Sequence, residues 1–402
     1  MRDNSYSQTK TSGYGSRYAV VDPEEVGVEK ARLEELVERA RREVDAGLLP
    51  SCQLALAKDG RLVLFETIGD ADPSSRYVVY SVTKGIVAGA IWILVSEGLL
   101  EWDTRVADIV PGFRSRGKDA VLLEHLLTHT AGFPYAPMLP ADALDPKKRA
   151  ETYFHWHLDW TPGERFEYHP LSAHWVLADV IEQLSGRNFR DFIHEEICEP
   201  LGLESFRLGE PIERQQDVNK PRLVGEPPSR EEMQQVFGVD IDPAAFRGPV
   251  SDEVLVEIAK PELLAIGMPG GGGISNAADI ALYYQALLHN TGDIWDPEVI
   301  AEGVEPVCDL PDPIRKIPCH RSRGLMVAGT PPEAQLRGFG HGLSPRTFGH
   351  DGAGGQIAWA DPESGISFCY LTDGLDRNFI RQARRSIGIS SRAAAVCKGA
   401  DD

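Results

Sequence analysis

Ser81-Val82-Thr83-Lys84 sets a hydroxyl and an amine three residues apart at the head of an uncharged run over 85–95. That run is too short to span a bilayer, which needs about 20 residues, and reads as a buried core helix. Residues i and i+3 share a helix face, so Lys84 is expected beside the Ser81 hydroxyl at the helix N-terminus. A buried amine there has its pKa lowered by desolvation and can take the serine's proton. The positive end of the helix favours a developing oxyanion. Such a pair activates a serine without a histidine.

The tetrapeptide alone is not specific, because S-x-x-K recurs at Ser7/Lys10 and Ser115/Lys118. Ser7 lies in a polar segment and Ser115 in Arg114-Ser115-Arg116-Gly117-Lys118, where a dry site for a lysine is not expected. Only the Ser81 copy opens an apolar helix. The plainer alternative makes Ser81 a helix N-cap and Lys84 a solvated first-turn residue.

The chain has 402 residues, 42% hydrophobic and 25% charged, enough for two subdomains around a sizeable core. Lys and Arg number 41 against 61 Asp and Glu, and the net charge of −20 disfavours nucleic acid and anionic lipid surfaces as partners. Residues 1–18 are polar with no apolar signal-like core, so a cytoplasmic protein is expected, with no membrane partner. Six scattered cysteines with no C-x-x-C read as reduced core residues. Cys319-His320 is a lone Cys/His pair, so neither a zinc site nor any other cofactor is expected.

Along the chain, Leu33, Leu36, Val37, Ala40 and Val44 mark an amphipathic helix ended near Gly47. Strands at 52–57 and 62–68 around Asp59-Gly60 form a hairpin. Helical patterns then follow at Ser81, at 122–127 and around Leu177, Val180, Ile181 and Leu184, stopping at Gly186. Four glycines at 270–273 lack the G-K-[ST] ending of a phosphate loop and read as a tight turn before a helix at 277–288. Strands are expected at 324–328, 356–360 and 366–372, then a last helix from about Arg377. The pattern divides into a flexible tail (1–18), a discontinuous sheet domain (19–80 and 263–398) and a mainly helical domain (81–262) with an irregular insertion at 206–262.

Three further segments accompany Ser81: Leu126-Leu127-Thr128-His129-Thr130-Ala131-Gly132, Pro162-Gly163-Glu164-Arg165-Phe166-Glu167-Tyr168, and Phe348-Gly349-His350-Asp351-Gly352-Ala353-Gly354-Gly355. With them the chain, from about residue 28 to 390, resembles the serine β-lactamase-like family: class C β-lactamases, Streptomyces-type D-alanyl-D-alanine peptidases and family VIII carboxylesterases. The resemblance implies an α+β, β-lactamase-like fold: an antiparallel sheet flanked by helices, built from both termini, with an inserted helical domain. It implies Ser81 as nucleophile, Lys84 as its amine partner and Tyr168 as the base that shuttles the proton to the leaving group. His350, Asp351 and Gly352 would form the substrate-binding wall, and the Ser81 and Ala353 backbone N–H groups the oxyanion hole. His129 is expected to be structural. No G-x-S-x-G occurs, which excludes the α/β-hydrolase route to a serine esterase.

Two departures from the family pattern bear on substrate. Pro170 stands where the second motif has an asparagine, removing an amide that would hold Lys84 and bind an acyl-amide; Ser172, His169 or His174 are candidates to replace it. His350, beside Asp351, stands where a lysine would pair with a β-lactam or peptide carboxylate. Both losses leave ester chemistry intact. The expectation is a carboxylesterase of the family VIII type acting on small, short-acyl esters, with Tyr153, Phe154, Trp156 and Trp160 offered as acyl-pocket aromatics. The alternatives are a β-lactamase or D-amino-acid peptidase, an acyltransferase or cyclising thioesterase, and a non-catalytic binding protein. Oligomeric state is left open.

Overall fold

The computed structural model describes residues 18–238, 242–243 and 250–397. Helix α1 (Lys30–Asp45) leads into the hairpin of β1 (Ser51–Lys58) and β2 (Arg61–Gly69), and β3 (Arg76–Val78) then reaches the Ser81 turn. The inserted part carries α2 (Thr83–Ser96), α3 (Pro146–His155) and α4 (Ser172–Ser185). It also carries β4 (Arg207–Leu208), β5 (Val218–Asn219) and β6 (Arg222–Val224). The chain returns through β7 (Gly273–Ser275), α5 (Ala277–His289), β8 (Met326–Val327), β9 (Phe348–Gly352), β10 (Gln356–Asp361), β11 (Ile366–Thr372), β12 (Gly374–Asp376) and α6 (Phe379–Ala394).

The main sheet has the order β2-β1-β11-β10-β9-β8, with every neighbouring pair antiparallel. It therefore joins strands from both ends of the chain. Its two faces differ in side-chain size, because successive residues of a strand point to opposite sides. Leu54, Leu56, Trp359, Phe368 and Tyr370 pack with Leu33, Leu36 and Ile389 of α1 and α6. Ala55, Ala57, Ala358 and Ala360 face the other way, into the larger core that contains α5 and α2. Small residues on that face let α5 lie close to the sheet.

Helix α2 is enclosed from Thr83 to Leu94, as its uncharged run requires. Its glycines serve packing. A Cβ on Gly89 would sit 2.3 Å from the Tyr283 hydroxyl, and that hydroxyl donates to the Gly85 carbonyl at 2.8 Å. The space outweighs the roughly 0.5–1 kcal/mol that a helical glycine costs relative to alanine.

The stretch 206–262 departs from the irregular insertion expected. It holds the helices Arg230–Phe237 and Asp252–Ile258, while β4 and β5 join β3 and β7 in a second sheet of order β4-β7-β3-β5 and β6 pairs with β12. Strands of two or three residues are too short to show a period of two. At the N-terminus, residues 1–17 lie outside the described residues, but Tyr18 belongs to the core: it is buried and donates to Asp279 at 2.8 Å. No helix among the described residues is long and apolar enough to cross a membrane.

Candidate active site

Ser81 lies in a single 3-10 turn, Tyr80–Val82, directly before α2. The turn is clamped from β7: the Val79 N–H donates to the Gly273 carbonyl at 2.9 Å, and the Gly273 N–H donates to Thr83 Oγ1 at 3.1 Å. Tyr80 has φ +46°, a left-handed conformation unusual for a side-chain-bearing residue, and its hydroxyl donates to the Leu255 carbonyl at 3.0 Å. The strain sits next to the serine.

Lys84 is fully buried one turn on. Its Nζ lies 3.1 Å from Ser81 Oγ, 2.8 Å from the Pro170 carbonyl oxygen and in hydrogen-bond contact with the Gly270 carbonyl. Burial pulls its pKa down to about 7, with Arg321 lowering it further and Asp351 opposing. A neutral amine has two N–H donors and one lone pair. With both donors on the two carbonyls, the lone pair is left for the Ser81 hydroxyl. Gly270 is required by this arrangement, since a Cβ there would stand 2.8 Å from the Pro170 carbonyl oxygen.

Two of the three side chains expected to replace the missing asparagine are engaged elsewhere. Ser172 Oγ donates to the Phe133 carbonyl at 2.9 Å, and His169 accepts from the Phe133 N–H at Nε2. Neither ring nitrogen of His174 has a hydrogen-bond partner among the described residues. The substitute is backbone: Pro170 itself presents its carbonyl.

Tyr168 stands beside the Lys84 amine and the His350 ring, whose centroid is 6.2 Å from its own. Its ring centroid is 5.1 Å from Lys84 Nζ. Burial, with the charge of Asp351, pushes the phenol above its ordinary pKa, while Arg321 and the Ser81 contact pull the other way. His129 packs on this ring, centroids 4.6 Å apart, and accepts the His169 N–H at Nδ1. Burial holds His129 well below the usual histidine pKa, which suits a neutral structural residue.

Strand β9 closes the site. A Cβ on Gly352 would lie 2.6 Å from the Val79 carbonyl oxygen, so the end of β9 abuts the serine turn and Ala353 follows directly. His350 is buried, with Nδ1 donating to the Asp351 carbonyl at 2.6 Å and Nε2 accepting from Arg321 Nη1 at 3.2 Å. An arginine only donates, which assigns the ring proton to Nδ1. Both nitrogens are thereby spoken for, and burial together with Arg321 presses the imidazole pKa down to about 3. Asp351 pairs with Arg315 at 2.9 Å; burial raises its pKa, but Arg315, His350 and Arg321 together hold it below the carboxylate norm.

Arg321 and Arg315 had no sequence signal. They come from an extended, proline-rich segment without periodicity, about thirty residues before the wall strand they serve. The anionic wall expected from His350-Asp351 is therefore countered by two guanidinium groups.

Two other expectations change. Lys118 is buried and its Nζ contacts Ser115 Oγ at 3.0 Å, the Ser115 carbonyl at 2.9 Å and the Trp156 carbonyl at 2.7 Å. Burial and Arg116 lower its pKa to about 8. The charged pentapeptide does hold a lysine in a closed niche, because Trp156 covers it. Ser7 and Lys10 lie outside the described residues. Of the four aromatics offered as an acyl pocket, Tyr153 donates to Asp179 in the core, Trp156 is buried, Phe154 is 53% exposed, and Trp160 is half-buried with its Nε1 donating to the Thr130 carbonyl at 3.4 Å. A cavity of about 260 Å³ opens beside Ala353, with both apolar walls (Pro227, Leu255, Phe379) and polar ones (Asp252, Arg377, Gln382).

All six cysteines are free thiols, five of them buried.

A chain with this sheet, this enclosed helix and a serine so placed is a serine hydrolase. It belongs to the beta-lactamase family, whose model matches residues 34–388. Over 391 residues it is 26% identical to a "putative D-alanyl-D-alanine carboxypeptidase" of Escherichia coli (strain K12), covering 87% of this chain and 84% of the relative. It is 27% identical over 342 residues to the "esterase/beta-lactamase LipL" of Mycobacterium tuberculosis, covering 79% and 76%. Among solved structures, a penicillin-binding protein homolog from Caulobacter crescentus superposes with TM-score 0.74 at 25% identity over 91% of this chain and 99% of that one. A family VIII carboxylesterase superposes with TM-score 0.74 at 24% identity and the same coverage, a likeness of fold.

Proposed function

We propose that the protein is a carboxylesterase of the family VIII type that cleaves small, short-acyl esters through an acyl-enzyme on Ser81. The observation that carries this reading is the Lys84 amine, held by two backbone carbonyls with its third direction toward Ser81 Oγ.

In the first step Lys84 takes the Ser81 proton as Oγ attacks the ester carbonyl carbon. The oxyanion is received by the Ser81 and Ala353 N–H groups. Tyr168, whose ring lies 5.1 Å from the Lys84 amine, relays the proton from Lys84 to the departing alkoxide, which leaves as the alcohol. Water then attacks the acyl carbon by the same relay in reverse, releasing the acid and restoring Ser81.

The ester preference rests on what the site lacks. Pro170 offers no side-chain amide, and both His350 nitrogens are engaged within the protein. Arg321 is 2% exposed, sealed behind the wall rather than open to a substrate carboxylate. The peptidase reading draws on the name of the Escherichia coli relative and uses the same serine, lysine and tyrosine.

An acyl-length panel of p-nitrophenyl esters run beside nitrocefin and a D-alanyl-D-alanine peptide, with intact-mass detection of the acyl-enzyme, separates the readings. Fast turnover of acetyl to butyryl esters supports the esterase. Comparable turnover of nitrocefin or the peptide overturns it.

A further inference from the structure

Arg321 is a buried cation for which the mechanism above has no use. Its main chain is fixed in a ribbon: the Arg321 N–H donates to the Cys308 carbonyl at 2.9 Å, and its own carbonyl accepts from Val307 at 2.8 Å. Its guanidinium donates to His350 Nε2 and lies with Cζ 5.5 Å from the Tyr168 ring centroid and 5.8 Å from that of Phe166. An arginine does not give up its proton, so this charge persists at every pH the enzyme meets.

We propose that Arg321 is a positioning residue and the site's fixed positive charge, acting through space on Lys84 and Tyr168 and by hydrogen bond on His350, in place of a lysine on the wall strand. A cation here favours the deprotonated form of both proton carriers. It repels a proton from Lys84 and stabilises negative charge on the Tyr168 oxygen, the two directions a relay starting from a neutral amine requires. It also fixes the His350 tautomer. The proposal rests on the serine hydrolase reading for its consequence in turnover, but not for its effect on Lys84.

The charged and titratable groups around Arg321 come from every wall of the site. They are Lys84 on α2, His129, Tyr168 with His174 of α4, His350 and Asp351 of β9, and Arg315 and Cys319 on its own segment. Asp351 is paired to Arg315, while the Arg321 guanidinium lies over the Tyr168 ring; both arginines favour the Tyr168 phenolate.

The test is the titration of Lys84, followed by NMR of the full chain carrying ¹³Cε-lysine, with Lys84→Met to assign the signal, alongside the pH profile of p-nitrophenyl butyrate hydrolysis. In Arg321→Gln the Lys84 midpoint and the acid limb of kcat should both move up by about one pH unit. Arg321→Lys should restore much of the shift, and Arg321→Met should repeat the glutamine result. Folded Gln and Met variants with an unmoved Lys84 midpoint overturn the proposal, as does failure of both to fold, which makes Arg321 structural. If the wild-type chain hydrolyses no ester, the hydrolase reading falls, while the Lys84 titration still decides the role of Arg321.

Discussion

Lys84 Nζ lies 2.8 Å from the Pro170 carbonyl oxygen, so a backbone group holds the amine at a residue whose side chain cannot. The carbonyl of Gly270 completes the cradle, and the turn behind it is fixed by the Gly271 and Gly272 N–H groups on the Met268 carbonyl at 3.1 and 2.8 Å.

That cradle predicts an effect for one methyl group. In Gly270→Ala the new Cβ meets the Pro170 carbonyl, so both acceptors must shift from Lys84. With the amine displaced by a fraction of an ångström or more, kcat should fall about 10- to 100-fold while KM changes little. Steady-state kinetics on p-nitrophenyl butyrate measures this, and a variant with unchanged kcat shows that the carbonyl cradle does not matter.

A lysine that loses its proton near pH 7 gives a defined pH dependence. Activity should rise through an acid limb near 7, because only the neutral amine can accept from Ser81. Stability follows by linkage: between about pH 7 and the ordinary lysine value of 10.5, the unfolded chain binds a proton that the folded chain does not. The destabilisation from burying Lys84 is therefore fully present below 7 and recedes as pH rises toward 10.5. Denaturant melts of the wild type and Lys84→Met should show the difference in stability moving in favour of the wild type over that window. A constant difference means that Lys84 keeps its proton.

Lys84 touches the Ser81 hydroxyl and lies beside the Tyr168 ring, so as members of one proton relay their effects should not add. Tyr168→Phe is expected to lower kcat by about 10² to 10⁴, Lys84→Arg by at least as much, and the double variant by little more than the worse single one. A guanidinium cannot take the serine's proton. Additive losses in the double-variant cycle contradict a shared relay.

How much of this was legible in the sequence depends on which atoms do the work. The Ser81/Lys84 pair could be read because helix geometry brings i and i+3 together, and the large sheet because β1, β2, β10 and β11 are long enough to show their pattern. Backbone carbonyls carry no sequence signature, so Pro170 read as a loss although its carbonyl serves. Arg321 was invisible because a long-range contact from an irregular segment has no period. The burial of Lys118 was missed for a similar reason: its neighbours in sequence are charged, but its cover, Trp156, lies 38 residues away.

Substrate preference tests the two departures together. Each missing polar or charged contact forgoes roughly 1.5–3 kcal/mol, so kcat/KM for short esters should exceed that for penicillins by about two to four orders of magnitude. Equal efficiencies for nitrocefin and p-nitrophenyl butyrate require other residues to supply those contacts.

Ser115 provides an internal control for the central claim, since its hydroxyl touches a buried lysine of depressed pKa, as Ser81 does, but Lys118 lies over a phenylalanine ring where Lys84 faces Tyr168. The chain should be treated with a fluorophosphonate near pH 8, its intact mass measured and the modified peptide mapped. The account predicts one adduct per chain, on Ser81, lost in Ser81→Ala and slowed by at least a hundredfold in Lys84→Arg. An adduct on Ser115, or an unmodified Ser81 in folded protein, contradicts it.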